Sequence, residues 1–155
     1  MDNVQEFKQS IIVRLEKEEY ALPVESIGGI ERIQQITRVP KTADFIKGVI
    51  NLRGVITPIV DLRERFGLQQ KQHDESTRII ITEMADFNVG LIVDAAYDVV
   101  NIPIESIEPN PKVIGAADID YIDGVAKVGN RLFMLLNLEK VLSYENYQIE
   151  RDQYD

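Results

Sequence analysis

Apolar residues in this chain come in short, largely β-branched bursts, and each burst ends in a charged or turn-forming cluster. Ser10-Ile11-Ile12-Val13-Arg14-Leu15 reads as a strand, Glu16-Lys17-Glu18-Glu19 as a charged turn, and Tyr20-Ala21-Leu22-Pro23-Val24 as the next strand. Glu31 to Val39 is extended and β-branched, with Ile33 and Ile36. Gly48-Val49-Ile50-Asn51-Leu52-Arg53 and Val55-Ile56-Thr57-Pro58-Ile59-Val60 flank Gly54, a hairpin signal. Pro58 has no N–H, so its strand must leave that position unpaired. Asp61-Leu62-Arg63-Glu64-Arg65-Phe66 predicts one helical turn stopped by Gly67.

The second half continues in the same style. Arg78 to Thr82 and Val89 to Asp94 are strands around a turn at Ala85-Asp86-Phe87-Asn88, and Val99 to Ile104 is another extended run. Glu108 to Asp120, with Pro109, Pro111 and Gly115, reads as a long irregular segment. Val125 to Val128 and Leu132 to Leu136 flank Gly129-Asn130-Arg131 as a second hairpin. From Leu138 to Tyr147 the apolar positions Leu138, Val141 and Leu142 share one helical face.

The halves read as diverged copies. Tyr20-Ala21-Leu22 matches Val89-Gly90-Leu91, 69 residues on, and Pro40 matches Pro109 at the same spacing. Phe45-Ile46-Lys47-Gly48-Val49 matches Tyr121-Ile122-Asp123-Gly124-Val125, 76 residues on, and Ile59-Val60-Asp61-Leu62 then matches Leu135-Leu136-Asn137-Leu138. Pro23-Val24-Glu25-Ser26-Ile27 also resembles Pro103-Ile104-Glu105-Ser106-Ile107 at a spacing of 80, which contradicts the other anchors and is read as coincidence. Each copy has about five short strands, and a small sheet removes its open edges best by closing into a barrel. Two such barrels packed together would share a core and leave a groove between them.

Composition narrows the function. The 155 residues carry a net charge of −9 with no basic stripe, which disfavours binding to a phosphate backbone. No cysteine is present, so disulfides and thiolate chemistry drop out together, consistent with a reducing compartment. No secretory leader and no bilayer-spanning run is recognised, so a cytoplasmic location is expected. The single histidine, His73, lies in the polar run Gln69 to Thr77 and lacks the oriented partner that catalysis needs. Phosphate loops, dinucleotide fingerprints and nucleophile elbows are missing. Asp118-Ile119-Asp120-Tyr121-Ile122-Asp123 lacks the glycine and terminal glutamate of a calcium loop. The expectation is a protein that binds other proteins, with no catalytic residue, metal or cofactor.

Phe45-Ile46-Lys47-Gly48-Val49-Ile50-Asn51-Leu52-Arg53-Gly54-Val55-Ile56-Thr57-Pro58-Ile59-Val60-Asp61-Leu62-Arg63 resembles the signature of the CheW family of chemotaxis coupling proteins. Gly90-Leu91-Ile92-Val93-Asp94 with Asp98-Val99, and Tyr121-Ile122-Asp123-Gly124 with Leu136 to Leu142, extend the likeness to residues 7 to 145. The resemblance implies an all-β fold: two small five-stranded SH3-like barrels packed together, with short helical segments. The whole chain, 1–155, is then a single CheW-like domain. Its first barrel is expected at 20–88, its second at 1–19 plus 89–145, and a C-terminal tail at 146–155. It also implies a scaffold joining the cytoplasmic tip of a chemoreceptor (a methyl-accepting chemotaxis protein) to the regulatory domain of a CheA-type histidine kinase. The alternative is a small β-barrel ligand- or oligonucleotide-binding protein without a kinase role.

Carried over by position, the receptor-binding residues are Ile30, Lys47, Gly48, Arg53, Ala96 and Val99. Gly29 stands where many members have an acid. On the residues alone other readings stay open. Arg53 suits a solvated hairpin tip, Gly48 and Gly54 a special backbone, and Ile30 and Val99 a core.

Overall fold

The β-branched bursts form eleven strands and two single-turn helices in the computed structural model, which describes residues 6–109 and 121–142. In chain order they are β1 (Phe7–Leu15), β2 (Glu18–Pro23), β3 (Ile27–Arg32), β4 (Ile46–Leu52), β5 (Val55–Asp61), α1 (Leu62–Arg65), β6 (Arg78–Glu83), β7 (Asn88–Val93), β8 (Ala95–Pro103), β9 (Ile107–Pro109), β10 (Ile122–Val128), β11 (Arg131–Leu136) and α2 (Leu138–Val141). Most of the irregular segment at 110–120 and the tail beyond Leu142 lie outside the described residues.

The strands make a five-stranded sheet, β3-β6-β7-β5-β4, and a six-stranded sheet, β8-β1-β2-β11-β10-β9. Each closes on itself as an SH3-like barrel. After β3 the chain crosses to the far edge, where Thr37 and Val49 exchange hydrogen bonds of 2.9 and 2.8 Å. After β8 it crosses likewise, and β9 pairs with Gly124 to Ala126 of β10. Pro58 sits opposite Val49, whose polar groups face Thr37, so this is a non-hydrogen-bonded position on the β4 side. Pairing between β5 and β7 starts only at Ile59, so the missing N–H leaves no carbonyl of β7 unserved.

The registers show how the two copies are interleaved. Ile81 faces Gly90 as Ile12 faces Ala21, and Ile30 faces Ile80 as Val99 faces Ile11. Hence β1, β2 and the start of β3 correspond to β6, β7 and the start of β8 at a spacing of 69. β4, β5 and α1 correspond to β10, β11 and α2 at 76, including a bulge before Gly48 and before Gly124. Each copy places its first hairpin in the barrel of the other. β2 therefore belongs to the six-stranded barrel and β7 to the five-stranded one, where the expected boundaries at 19/20 and 88/89 had them reversed. A linear repeat is blind to this exchange, because the spacing between copies is the same whichever barrel receives the hairpin.

Two smaller differences follow from the same registers. The closing pairs Thr37–Val49 and Glu108–Val125 correspond with Val49 and Val125 at a spacing of 76 and Thr37 and Glu108 at 71, so Pro40 and Pro109, 69 apart, are two positions out of step. The pentapeptides 80 residues apart adopt one local form, a proline leading a 3₁₀ turn at Val24–Ser26 and at Ile104–Ser106. They occupy non-equivalent places, after β2 and after β8, so the likeness is local and not part of the repeat.

Apolar burial matches this architecture. Ile50, Ile59, Ile79, Ile81 and Ile92 fill the five-stranded barrel, and Ile12, Ala21, Ile102, Ala126, Phe133 and Leu135 fill the other. A larger cluster, including Leu15, Tyr20, Leu22, Val60, Leu62, Leu91, Met134 and Leu138, takes residues from both sheets and joins the barrels. No helix among the described residues is long and apolar enough to cross a membrane.

Candidate protein-binding surface

The tip between β4 and β5 is built to present one cation. Arg53 and Gly54 both have positive φ, 50° and 87°, the combination that suits a tight hairpin. Asn51 Oδ1 accepts the Gly54 N–H at 2.8 Å and holds the tip. The Arg53 side chain stays 72% exposed, and among the described residues its one ion-pair partner is Glu31 Oε2 of β3 at 3.6 Å. Beside it Val55 and Ile56 are exposed, and Ile30, next to Glu31, is exposed on β3. Sequence reading missed Val55 and Ile56. The available signal was two apolar residues in succession on a strand that should alternate.

The second barrel holds its tip arginine differently. Arg131 gives its guanidinium to Glu19 of β2 at 3.1 and 2.9 Å and to Asp98 of β8 at 3.2 and 3.3 Å, and lies over the Phe133 ring at 4.8 Å. The hydrogen bonds to Glu19, then those to Asp98, push its pKa above the ordinary arginine value. Both barrels thus set a hairpin arginine toward an acid on the strand carrying the bulge, but Arg131 commits four of its five N–H donors to acids, whereas Arg53 has one loose ion pair among the described residues.

The other expected residues divide by exposure. Val99 is exposed on β8 at the position that Ile30 holds on β3. Ala96 is half-buried and packs against the shared core. Lys47 is half-buried, its Nζ 2.5 Å from Glu64 Oε1 of α1. Gly48 is buried at φ 141°, and a Cβ there would lie 2.0 Å from the Thr37 carbonyl oxygen. The structure brings Ile30, Arg53, Val55 and Ile56 to one barrel. Ala96 and Val99 lie on the other, where the bulge puts Tyr97 and Asp98 between them.

The Leu62-Arg63-Glu64-Arg65 turn anchors this hairpin to the rest of the molecule. Asp61 caps it, accepting from the Arg63 and Glu64 N–H groups at 2.9 and 3.4 Å, and burial pushes the Asp61 carboxyl above its usual pKa. Arg63 is buried and bonds Asp94 at 2.6 Å, Glu16, and the Gln69 carbonyl at 2.9 Å. Arg65 donates to the Val141 carbonyl at 2.8 Å and lies between the Phe45 and Tyr121 rings at 4.7 and 4.8 Å. The sequence alone marks Arg63 as the last letter of the motif and Arg65 only as part of the helical turn. His73 is exposed, and no group of three or more His, Cys, Asp or Glu among the described residues could hold a metal ion.

Residues 9–146 match the CheW-like domain family. The chain is 40% identical over 138 residues to the chemotaxis protein CheW of Klebsiella aerogenes, covering 89% of this chain and 83% of that one. It is 38% identical over 141 residues to the chemotaxis protein CheW of Bacillus subtilis, covering 91% and 90%. Among solved structures, the scaffolding protein TtCheW from Thermoanaerobacter tengcongensis superposes with a TM-score of 0.83 at 34% identity, over 90% of this chain and 95% of that one.

Proposed function

The chain belongs to the CheW-like family of non-catalytic chemotaxis scaffold proteins, and we propose that it couples a chemoreceptor's cytoplasmic tip to the regulatory domain of a CheA-type histidine kinase in the cytoplasm. Family membership displaces the oligonucleotide-binding alternative. The observation that carries the reading is the exposed Arg53, held at a fixed tip with unused donors, while Arg131 of the second hairpin commits four of its donors to Glu19 and Asp98. A guanidinium so placed can grip a partner's carboxylate with two parallel hydrogen bonds. Ile30, Val55 and Ile56 supply apolar area around it on the first barrel, and Val99 does so on the second, which suits an amphipathic receptor helix. Lys47, Gly48 and Ala96 act from behind, by setting the shape of the strands that carry these groups.

No chemistry on a substrate is needed for this role. Holding receptor and kinase together turns their encounter into an intramolecular one and fixes their orientation. The kinase contact falls on the first barrel in this reading. The test is Arg53→Glu in a reconstituted receptor and kinase assay. Receptor-dependent kinase activation is expected to fall by about tenfold or more, the effect of reversing a charge at a paired site, with circular dichroism unchanged. Unchanged activation with an unchanged fold removes Arg53 from the receptor surface.

A further inference from the structure

A second site lies on the other flank of the β4–β5 hairpin. The segment 38–44, the start of β4, and the stretch from α1 to Gln70 enclose an open cleft of about 610 Å³. Its charged lining is Arg38, Lys41 and Lys47 against Asp44 and Glu64, a net positive cleft on a chain of net charge −9. Arg38 and Lys41 are exposed and make no ion pair among the described residues.

The wall is built and not merely loop. Thr42 Oγ1 donates to the carbonyls of Val39 at 3.1 Å and Ile46 at 3.4 Å, and the Ile46 N–H donates to Ala43 O at 2.9 Å. These bonds hold Lys41 at φ 64°, a left-handed conformation that a lysine adopts at some cost. At the back, the Glu64 side chain is only 9% exposed. Its Oε1 takes both Lys47 Nζ and Gln70 Nε2, while its Oε2 is buried with no hydrogen-bond partner.

We propose that this cleft docks an acidic peptide segment of a protein partner. Carboxylates of the segment would pair with Arg38, Lys41 and the two N–H groups that Lys47 has left over. A backbone N–H of the segment would supply the donor that Glu64 Oε2 lacks, once Gln70 swings aside. An aprotic anion such as sulfate satisfies the cations but brings no donor, and any small anion, phosphate included, would meet the Glu64 charge directly. The inference rests on the scaffold reading only in taking a protein as the occupant.

The experiment is fluorescence anisotropy with the full chain and a short, labelled, end-capped peptide of alternating glutamate and aspartate. Saturable binding is expected, weakened by rising salt, and reduced about tenfold by Arg38→Glu and again by Lys41→Glu. Both residues are exposed, so circular dichroism should stay unchanged. Glu64→Gln removes the repulsion but keeps an acceptor, and should bind the peptide at least as well as the native chain. No binding at millimolar peptide, or binding that neither charge reversal affects, overturns the proposal. Displacement of the peptide by an equal concentration of inorganic phosphate overturns the peptide assignment in favour of a small-anion site. Receptor and kinase are absent from this measurement, so its outcome is independent of whether Arg53 couples them.

Discussion

Arg63 Nη1 lies 2.6 Å from Asp94 Oδ2, with both side chains buried, and the pair fastens the helix of one barrel to the strand junction that leads into the other. Asp94 Oδ2 also accepts the Glu16 N–H at 2.9 Å, and the Asp94 N–H donates to Arg14 O at 3.0 Å. The guanidinium thus binds α1, the β1–β2 turn and the β7–β8 junction into one unit. The exchange of hairpins gives this unit its purpose. β1–β2 and β6–β7 each sit in the barrel of the other copy, and Arg63 and Asp94 lie where those chains cross over.

Removing Arg63 leaves the buried Asp94 carboxylate without its cation, and removing Asp94 leaves the buried guanidinium with Glu16 as its remaining anion. Arg63→Ala and Asp94→Ala are each expected to lower unfolding free energy by about 3–5 kcal/mol, the range for breaking a buried pair. The double variant should lose clearly less than the sum of the two, because the residues share one interaction. Urea denaturation of the three variants measures this. Strictly additive losses would show that the pair is not coupled.

Gly48 makes a sharper stereochemical case. A methyl group there would sit 2.0 Å from Thr37 O, on backbone already at φ 141°. Gly48→Ala should cost about 3 kcal/mol or more, because the barrel closure at Thr37–Val49 must open to admit it. Gly54, at φ 87° with open space around it, should lose only about 1 kcal/mol on change to Ala. Comparable losses at the two sites would mean that the closure yields more easily than its geometry suggests.

What the sequence revealed and what it concealed divide along physical lines. Hairpins were legible at Gly54 and Gly129 because turn chemistry is local, and the helical turn after Asp61 because a cap and a glycine bracket it. The copies were legible through Ala21 and Gly90, which hold equivalent places beside Leu135 and Ile59. Which barrel received β2 and β7 was not, since partner choice is a tertiary matter that spacing does not encode. Of the proposed binding surface, Arg53 stood out in the motif. Its availability became apparent only against Arg131, whose partners Glu19 and Asp98 lie 112 and 33 residues away in sequence.

That contrast between the arginines predicts opposite behaviour. Arg131→Ala should destabilise the fold by about 1 kcal/mol, a figure kept small because the site is partly exposed and screened. Arg53→Ala should change stability by less than about 0.5 kcal/mol, as for an exposed side chain with one loose contact. Thermal unfolding at low and high salt separates them: the Arg131 deficit should shrink as salt rises, and Arg53→Ala should show little at either. A larger loss at Arg53 would make it a structural residue and weaken the case for it as a contact.

Asp61 carries a pH dependence with a definite sign. Burial, the largest influence, holds its folded pKa above the ordinary value of 3.8, outweighing the cap hydrogen bonds that act the other way. The folded state then binds the proton more tightly than the unfolded chain does. Asp61 accordingly makes its most favourable contribution below about pH 4, and that contribution is lost as pH rises through the raised folded value. Asn137 occupies the equivalent place in the second barrel and caps α2 through the Lys140 N–H at 3.0 Å without any charge. Asp61→Asn should keep the cap, remove the desolvated charge, gain on the native chain as pH rises from about 4 through the raised folded value, and hold that gain up to pH 7. Asp61→Ala loses the cap at every pH, at a cost of about 1 kcal/mol. Denaturant midpoints across that pH range decide the matter: a native advantage over Asp61→Asn that grows with pH would mean that the charge is favourable where it sits.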